Sequence, residues 1–222
     1  KLEDIYVNPP NVERRIIKPN FSIRNSKIKL NLNVVVQPAL TTENLKVEAM
    51  VDNITLSIEE RKILMNTPQE RVFPQILTQI EKLKNGSNKI FLHFNLPVKQ
   101  LIWVILDEED PDHIDFKSFS NAKLILGETT HSLNNDYESN YFKLCQSYYH
   151  NEGIPEENIY SFSFALRPFY GHPSGMVDFS KVPTKILEIS GELKGKFIHI
   201  FANGINVLSS KNGISSLKLN FT

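Results

Sequence analysis

Residues 159–181 read IYSFSFALRPFYGHPSGMVDFSK, and this stretch indicates the fold more directly than any other part of the chain. Its first half predicts a strand over 159–167. Pro173 then fixes one φ and has no N–H for a ladder, while Gly175 tolerates positive φ, so the chain can leave a sheet and re-enter it within a few residues. Phe179 would bring an aromatic side chain back into the core. The stretch therefore predicts a β-strand that ends in a tight corner.

A half-buried strand is the clearest pattern near the start of the sequence. Residues 27–34 read KIKLNLNV, with apolar residues at the even positions and polar residues between them. This alternation is typical of an antiparallel strand with one face on the core. Short strands in series, without long helices between them, favour a sandwich or barrel. Between clusters of Gly, Pro, Asn and Asp, further strands are predicted at 45–55, 89–96, 100–106, 121–126, 184–193, 196–208 and 214–221.

One short helix and one ambiguous segment interrupt the strands. Ser57 with Glu60 three residues later forms a capping box, which predicts a helix start. Pro74 would break a long continuation of that helix. Residues 75–83 are therefore compatible with either helix or strand.

Proline also marks two boundaries. Pro97 separates the strands predicted at 89–96 and 100–106, which predicts a bent or hairpin-like pair rather than one long strand. Residues 1–26 contain three prolines and no sustained period. They are predicted to form an extended arm before a folded domain at 27–222.

Composition places the chain among folded globular proteins. Of its 222 residues, 41% are hydrophobic and 23% are charged, close to the globular average. A net charge of zero gives no electrostatic reason to expect nucleic acid as a direct partner. The longest apolar runs are far shorter than the roughly 20 residues needed to cross a bilayer. Because the sequence begins at Lys1 rather than Met, we expect it to be part of a longer product.

Reactive residues do not form a recognisable catalytic or metal site. His93 and His199 fall inside predicted strands, and the six histidines show no pair at helical spacing, which favours structural roles. The acidic segment 107–115 lacks the glycine and the terminal glutamate of a calcium loop, so a solvated loop is expected. Cys145 is the only cysteine, and a lone cysteine is expected to be a small buried hydrophobe. We therefore predict no catalytic residue, no cofactor and no metal.

Several blocks, spread over roughly 27–219, share their order with one protein family. They are VDNITL at 51–56 with EER at 59–61, FNLPVKQLIWV at 94–104, YSFSFALRP at 160–168 with PSG at 173–175 and DFSK at 178–181, and ANGINVL at 202–208 with NGI at 212–214. These blocks resemble the second jelly roll of the major capsid proteins of nucleocytoplasmic large DNA viruses. The residues taken as its structural motif are Glu60, Arg61, Pro97, Trp103, Tyr160, Ser161, Phe162, Pro168, Pro173, Ser174, Gly175, Phe179 and Ser180.

The resemblance implies an all-β fold. It implies an antiparallel jelly-roll β-sandwich of eight core strands, with a short helix and loop insertions. This domain, at 27–222, would be the C-terminal half of a double jelly roll, and residues 1–26 would be an N-terminal arm or interdomain linker. The long loops at 107–120 and 128–153 would face outward.

The implied function is structural, without enzymatic activity. Proteins of this family form homotrimers, the pseudo-hexameric capsomers of an icosahedral shell. Implied partners are neighbouring capsomers, minor capsid or cement proteins and an inner viral membrane, without direct contact to nucleic acid. The resemblance places the protein in the virion capsid after assembly in the host cytoplasm. Departures at 170–172, Asp178 and Lys181 leave open the related poxvirus scaffold protein, which builds a transient lattice on a membrane.

Two other classes of function are compatible with the residues. Jelly rolls also serve as lectins, and tyrosines close to residues 134–136 could stack on a sugar and hydrogen-bond it. These tyrosines are Tyr137, Tyr141, Tyr148 and Tyr149. An enzyme would have to use Cys145 as its nucleophile and His150 as the base that activates it.

Overall fold

The computed structural model describes residues 55–107, 115–127, 136–170, 173–212 and 214–218. These residues form two compact units. Where described, the first unit contains residues 55–69 and 210–215, and the second contains residues 70–209 and 216–218. The arm predicted at 1–26, the strand predicted at 27–34 and all but the last residue of the strand predicted at 45–55 lie outside the described residues.

The described secondary structure comprises an α-helix, a π-helical turn that continues into a short second α-helix, and ten strands. In chain order these are α1 (Ile58–Asn66), β1 (Gln69–Lys82), β2 (Gly86–Phe91), β3 (Pro97–Asp107), β4 (Asn121–Leu126), β5 (Tyr137–Glu138), the π-helical turn (Tyr141–Cys145), α2 (Gln146–Tyr149), β6 (Tyr160–Ser163), β7 (Val177–Asp178), β8 (Lys185–Gly191), β9 (Lys196–Lys211) and β10 (Ile214–Leu217).

Helix α1 begins where the capping box predicts. The Ser57 hydroxyl accepts a hydrogen bond from Glu60 N at 3.2 Å, and Glu60 Oε2 accepts one from Ser57 N at 3.0 Å. These bonds hold the pKa of the Glu60 carboxyl below its usual value, and the backbone N–H of Ser57 contributes most. At the other end of the helix, Asn212 N donates to Met65 O at 2.8 Å. That bond ties residues 210–215 to α1 within the first unit.

The second unit is a sandwich of two antiparallel sheets. The larger sheet has the order β1-β9-β3-β6, with β10 beside β9 and β7 beside β3, and the smaller sheet has the order β2-β8-β4-β5. The chain passes repeatedly from one sheet to the other, and the two rows of four strands make up the eight strands of a jelly roll. The predicted fold class is therefore confirmed. All eight of these strands lie at 69–211.

Strand β1 settles the segment that the sequence leaves open. Residues 75–82 are strand, and Pro74 lies inside it. Proline cannot donate to a ladder, and it is tolerated here because β1 lies at one end of the row of described strands. Half-buried and exposed residues alternate along all 14 residues of β1. This pattern fits a strand with one face toward the core.

The break at Pro97 separates strands of different sheets. β2 ends at Phe91, earlier than predicted, and β3 begins at Pro97 itself. The pair is therefore bent across the sandwich, and the hairpin alternative is wrong. His93 lies in the connecting segment rather than in the predicted strand. Gln79 of β1 bridges this corner, because its Nε2 donates to Phe91 O at 2.7 Å and its Oε1 accepts from His93 N at 3.0 Å.

An aromatic cluster fills the core beside β3. Trp103 is 1% exposed, and its ring lies 5.1 Å from that of Phe142 and 6.3 Å from that of Tyr160. Phe119 completes the cluster at 4.5 Å from Tyr160. Aromatic pairs at such distances contribute about 0.5–1.5 kcal/mol beyond their buried area. Because Phe142 belongs to the π-helical turn, the cluster fixes the segment after β5 to the sandwich.

Two further boundaries differ from the sequence prediction. β6 ends at Ser163, whereas the prediction continued to residue 167, because Phe164 N and Ala165 N both donate to one acceptor, Lys99 O, and the chain leaves the sheet. The loop predicted at 128–153 contains the π-helical turn and α2 in its described part. Helical structure forms there because it buries Phe142 completely against the core.

Candidate functional site

The corner segment, which comprises the described residues 163–170 and 173–180, is held by contacts that depend on particular residue types. Arg167 N donates to the Ser174 hydroxyl at 2.8 Å, so a serine side chain takes the place of a ladder partner. Gly175 has a φ of +145°, and a Cβ there would lie 2.6 Å from Phe164 O. No larger residue fits without moving the backbone. The corner predicted from Pro173 and Gly175 is therefore present.

Lys99 clamps this corner segment to β3. Its ammonium donates to Pro168 O at 2.7 Å, and only 6% of the residue is exposed. Burial lowers the pKa of the Lys99 amine. The Lys99 carbonyl also accepts from Phe164 N at 2.8 Å and from Ala165 N at 3.1 Å. One residue of β3 thus holds the corner segment through both its side chain and its backbone.

The corner segment returns to the sheet at Phe179. That residue is fully buried, and its N–H donates to Leu96 O at 3.1 Å. Asp178 Oδ1 accepts from Ser180 N at 3.1 Å and from the Ser180 hydroxyl at 2.6 Å, while Asp178 Oδ2 lies 3.2 Å from Lys181 Nζ. Burial alone would raise the pKa of Asp178, but the bonds from Ser180 and Lys181 outweigh it and lower the pKa. A charged turn therefore seats Phe179 in the core.

Polar side chains of the segment after β5 close the free edge of β6. Gln146 Oε1 accepts from Ser163 N at 3.1 Å, and Gln146 Nε2 donates to Tyr141 Oη at 3.1 Å. Gln100 Nε2 donates to both carboxylate oxygens of Glu152, at 3.2 and 3.3 Å. Burial raises the pKa of Glu152, while the bond from Gln100 opposes that rise. At Ser163, a side chain therefore occupies a backbone group of β6 that a further strand could otherwise bond.

An exposed apolar surface lies over this region. We call it the corner patch, and it is joined by a contact of 3.2 Å between His150 Nδ1 and Leu166 O. Exposed fractions reach 79% at Tyr148 and 65% at Phe169. Groups of exposed apolar side chains are typical of protein–protein contact surfaces. The corner patch consists of Tyr148, Tyr149, Leu166, Phe169, Tyr170 and Met176.

The structure places the thirteen predicted motif residues in three settings. Glu60 and Arg61 lie on α1 in the first unit, where both are exposed. One pair of motif residues is brought together in the sandwich, since Trp103 is the strand partner of Tyr160. Pro97 is the strand partner of Asp178, which is not a motif residue. In the second unit, the buried motif residues are Trp103, Tyr160, Ser161, Pro168 and Phe179, the half-buried ones are Pro97, Phe162, Ser174 and Gly175, and the exposed ones are Pro173 and Ser180.

Sequence reasoning missed three side chains that hold this region, namely Lys99, Gln100 and Gln146. Lys99 and Gln100 carry a readable signal, because two adjacent polar residues lie between the apolar residues at 96–98 and those at 101–106. Gln146 carries no such signal in the sequence. Gln100 Oε1 and Trp103 Nε1 are buried without a hydrogen-bond partner in the described structure.

The enzyme alternative finds no support in the described residues. Cys145 is exposed, so the expectation that it is a small buried hydrophobe is wrong, and it lies at the end of a π-helical turn facing solvent. His150 uses Nδ1 toward a backbone carbonyl. Within the described ranges, no three His, Cys, Asp or Glu residues come close enough to hold a metal ion. Nor does any helix of the described part have the length and apolar character to cross a membrane.

The structure separates the four tyrosines of the lectin alternative into a packed pair and an exposed pair. Tyr137 and Tyr141 stack on each other with ring centroids 4.3 Å apart, and both pack against the core. Burial raises the pKa of the Tyr141 phenol, and its oxygen already accepts from Gln146. Only Tyr148 and Tyr149 are exposed. The four tyrosines therefore do not form one sugar-binding platform.

Comparison with known proteins identifies the family. A family model described as "Large eukaryotic DNA virus major capsid protein" matches residues 60–218. The major capsid protein of Pyramimonas orientalis virus is 28% identical over 190 residues, a match that covers 75% of this chain and 47% of that protein. This chain thus spans about half the length of that relative.

Two solved structures share the fold. The quasi-atomic structure of the PBCV-1 virus capsid superposes with a TM-score of 0.60 at 18% identity, covering 75% of this chain and 55% of that chain. The Faustovirus major capsid protein superposes with a TM-score of 0.53 at 12% identity, covering 68% of this chain and 36% of that chain. The family match extends from α1 through all eight strands and the corner segment. This chain belongs to the family of large eukaryotic DNA virus major capsid proteins.

Proposed function

We propose that this chain supplies one of two jelly rolls in a capsid subunit, and that three full-length subunits form a trimeric, pseudo-hexameric capsomer. The observation that carries the proposal is the complete eight-strand sandwich inside the family match at 60–218. The chain spans 47% of a relative's length, which leaves room for a second sandwich of similar size. Six sandwiches in a trimer approximate a hexagon, and hexagons tile an icosahedral shell around an inner membrane.

The described surface supports this role. Obligate contacts between subunits bury on the order of 2,000 Å² or more and are rich in apolar side chains. The corner patch presents aromatic side chains to solvent, with Tyr148 and Phe169 each more than half exposed. Burial of such side chains against neighbouring sandwiches would stabilise the capsomer.

We also propose that the jelly roll begins near residue 69. All eight described strands lie at 69–211, so a complete jelly roll fits within that range. This boundary replaces the predicted start at residue 27. Limited proteolysis tests this boundary, because cleavage should occur before residue 69 and leave the sandwich intact. A protected product that begins near residue 27 would contradict it.

The proposed role is structural, without catalysis, cofactor or direct nucleic-acid contact. Its partners would be identical subunits, neighbouring capsomers, minor capsid or cement proteins and the inner membrane. Assembly would take place in the host cytoplasm. The zero net charge supports a shell that meets protein surfaces rather than a phosphate backbone.

The test is the solution mass, by light scattering, of the full-length polypeptide that contains this chain. We expect a trimer, with the 222-residue chain alone at 25.5 kDa or only weakly associated. Phe169→Asp in the corner patch should weaken the trimer, whereas Phe91→Asp, which replaces a comparably exposed phenylalanine elsewhere, should not. A strictly monomeric full-length protein at high concentration would contradict the proposed assembly.

A further inference from the structure

The outer face of the larger sheet, on the side away from the core, carries apolar side chains. On β9 the even-numbered positions are buried in the core, so Phe197 and Phe201 lie on the opposite face, where they are partly exposed. The register with β3 places Leu106 beside Phe197 and Ile102 beside Phe201. This sheet is therefore apolar on both faces, whereas a sheet with one solvated face usually alternates apolar and polar residues.

Strand β1 extends this face. Its outward positions include Ile76 and Ile80, which are 64% and 53% exposed. Exposed β-branched side chains in a row are unusual on a solvated strand and typical of a contact surface. We call the set the outer apolar face, and it consists of Ile76, Ile80, Ile102, Leu106, Phe197 and Phe201.

A histidine lies in the middle of this face. His199 is the strand partner of Val104 and sits between Phe197 and Phe201 along β9. Burial lowers the pKa of its imidazole.

The register on the β1 side follows from two contacts. Leu83 N donates to Lys196 O at 2.8 Å, and Lys82 Nζ lies 5.1 Å from the centre of the Phe197 ring. In an antiparallel ladder these contacts pair Lys82 with Phe197. Two residues back along β1 from Lys82 and two residues forward along β9 from Phe197, Ile80 therefore lies beside His199.

The groups that face His199 are therefore apolar. They are Phe197 and Phe201 on its own strand, Val104 on β3 with Ile102 and Leu106 diagonal to it, and Ile80 on β1. Thr78 and Lys82 are the diagonal neighbours on β1, and Lys82 is engaged over the Phe197 ring. Asp107 and Lys196 are strand partners at the ends of β3 and β9. The Asp107 carboxylate lies 3.2 Å from Lys117 Nζ, and Lys196 Nζ donates to Glu192 O. The face presents no carboxylate beside the imidazole in the described structure.

The size of the face sets the strength of a contact. Three strands spaced about 4.8 Å apart, over about eight residues of 3.3 Å each, give a patch on the order of 400 Å². A stable interface buries about 800 Å² per partner, so this face alone supports a weak contact between two molecules. In a shell, many such contacts act together.

We propose that the outer apolar face is a contact surface for a second copy of this chain, and that protonation of His199 weakens that contact. The proposal rests on the proposed function, because a shell built from many identical subunits brings copies of this chain next to one another. Two such faces can meet without opposed charges while His199 is neutral. A protonated imidazole would lose its water among Phe, Ile and Val side chains, and no anion of the described residues lies beside it to replace that water, which opposes contact.

The experiment is sedimentation velocity of the 222-residue chain from 1 to 300 µM, at pH 7.5 and pH 5.5. We expect weak, concentration-dependent association at pH 7.5. Ile76→Asp should weaken it at least tenfold, because it places a charge in the face. Ile154→Asp is the matched control, since Ile154 is 58% exposed but lies outside the face, and it should leave association unchanged.

The histidine is tested in the same assay. The wild-type chain should associate about tenfold more weakly at pH 5.5, because each unit by which contact lowers the pKa of His199 corresponds to a factor of ten. His199→Gln should remove this pH dependence. His93→Gln is the control, because His93 lies in the exposed link after β2, and it should retain the wild-type pH dependence.

Each negative outcome has a separate meaning. No association at 300 µM, or equal effects of Ile76→Asp and Ile154→Asp, would overturn the contact surface. Equal association at both pH values would overturn the role of His199. A trimer of the full-length protein together with either result would leave the proposed function standing, whereas a monomeric full-length protein would overturn that function by itself.

Discussion

Replacement of Gly175 by alanine tests whether the corner segment depends on a close backbone approach. Gly175 has a φ of +145°, and a Cβ there would lie 2.6 Å from Phe164 O and 3.2 Å from Ala165 Cα. An alanine in such a glycine-only conformation costs about 1–3 kcal/mol. Displacing the Phe164 carbonyl in a packed region costs about 1–3 kcal/mol more. We expect Gly175→Ala to lower the free energy of unfolding by about 2–6 kcal/mol.

Two other glycines distinguish the cost of backbone strain from the cost of the close approach to Phe164 O. Gly195 has a φ of +79°, and a Cβ added there would have nothing within 4 Å, so Gly195→Ala should cost only the backbone strain, about 1–2 kcal/mol. Gly153 has no positive φ and equally open surroundings. Gly153→Ala should be neutral or stabilise by up to about 1 kcal/mol, because it restricts the unfolded chain.

Urea unfolding followed by tryptophan fluorescence measures all three variants. Trp103 is the only tryptophan and lies in the core of the same unit. The midpoint should shift while the slope stays constant, as for a change confined to the folded state. If Gly175→Ala costs no more than Gly195→Ala, the close approach to Phe164 does not hold the corner segment, and the reasoning is refuted.

Three further predictions concern the core, the helix cap and pH. Phe142→Ala should destabilise the sandwich by about 3–5 kcal/mol, measured by the same urea assay, because it empties the aromatic cluster; a loss below about 1 kcal/mol would show that the π-helical turn is not packed as described. Ser57→Ala should cost α1 about 1 kcal/mol and speed amide exchange in its first turn, while Ser57→Asp should not; equal exchange in both variants would argue against the cap. Burial lowers the pKa of His199 below 6.5, so the folded state resists protonation and stability falls as the pH drops through that region. His199→Gln should therefore lose less stability than wild type between pH 7.5 and pH 5, and parallel losses would contradict this.

Local patterns predicted the parts of the fold whose causes are local. Strand β4 has the predicted bounds, 121–126, because its alternation is flanked by turn residues on both sides. The capping box at Ser57 and the corner at Gly175 were readable for the same reason, since a cap and a positive φ depend on neighbouring residues. The family resemblance added the jelly-roll sandwich of eight strands, which alternation alone does not determine.

What could not be predicted depends on residues distant in the chain. Lys99 and its acceptor Pro168 are 69 residues apart, so the residues near Lys99 do not indicate which group its amine contacts. Pro74 argued against a continuous element and was tolerated only because β1 has no described neighbour on one side. The exposure of Cys145 follows from the helical turn that Phe142 anchors, and no periodicity in the sequence indicated that turn.

The protected strand edges affect how readily the sheets of neighbouring subunits could mispair in the proposed shell. Pro74 interrupts β1, the Gln79 amide occupies backbone groups at the end of β2, and Gln146 occupies the Ser163 N–H of β6. An unprotected edge strand is a template for any other strand. In the proposed assembly, identical subunits would reach local concentrations at which mispaired edges would compete with correct contacts between faces. In the proposed shell, each of these three residues would disfavour side-to-side pairing of sheets, because it removes or occupies a backbone group that a strand of another subunit could bond.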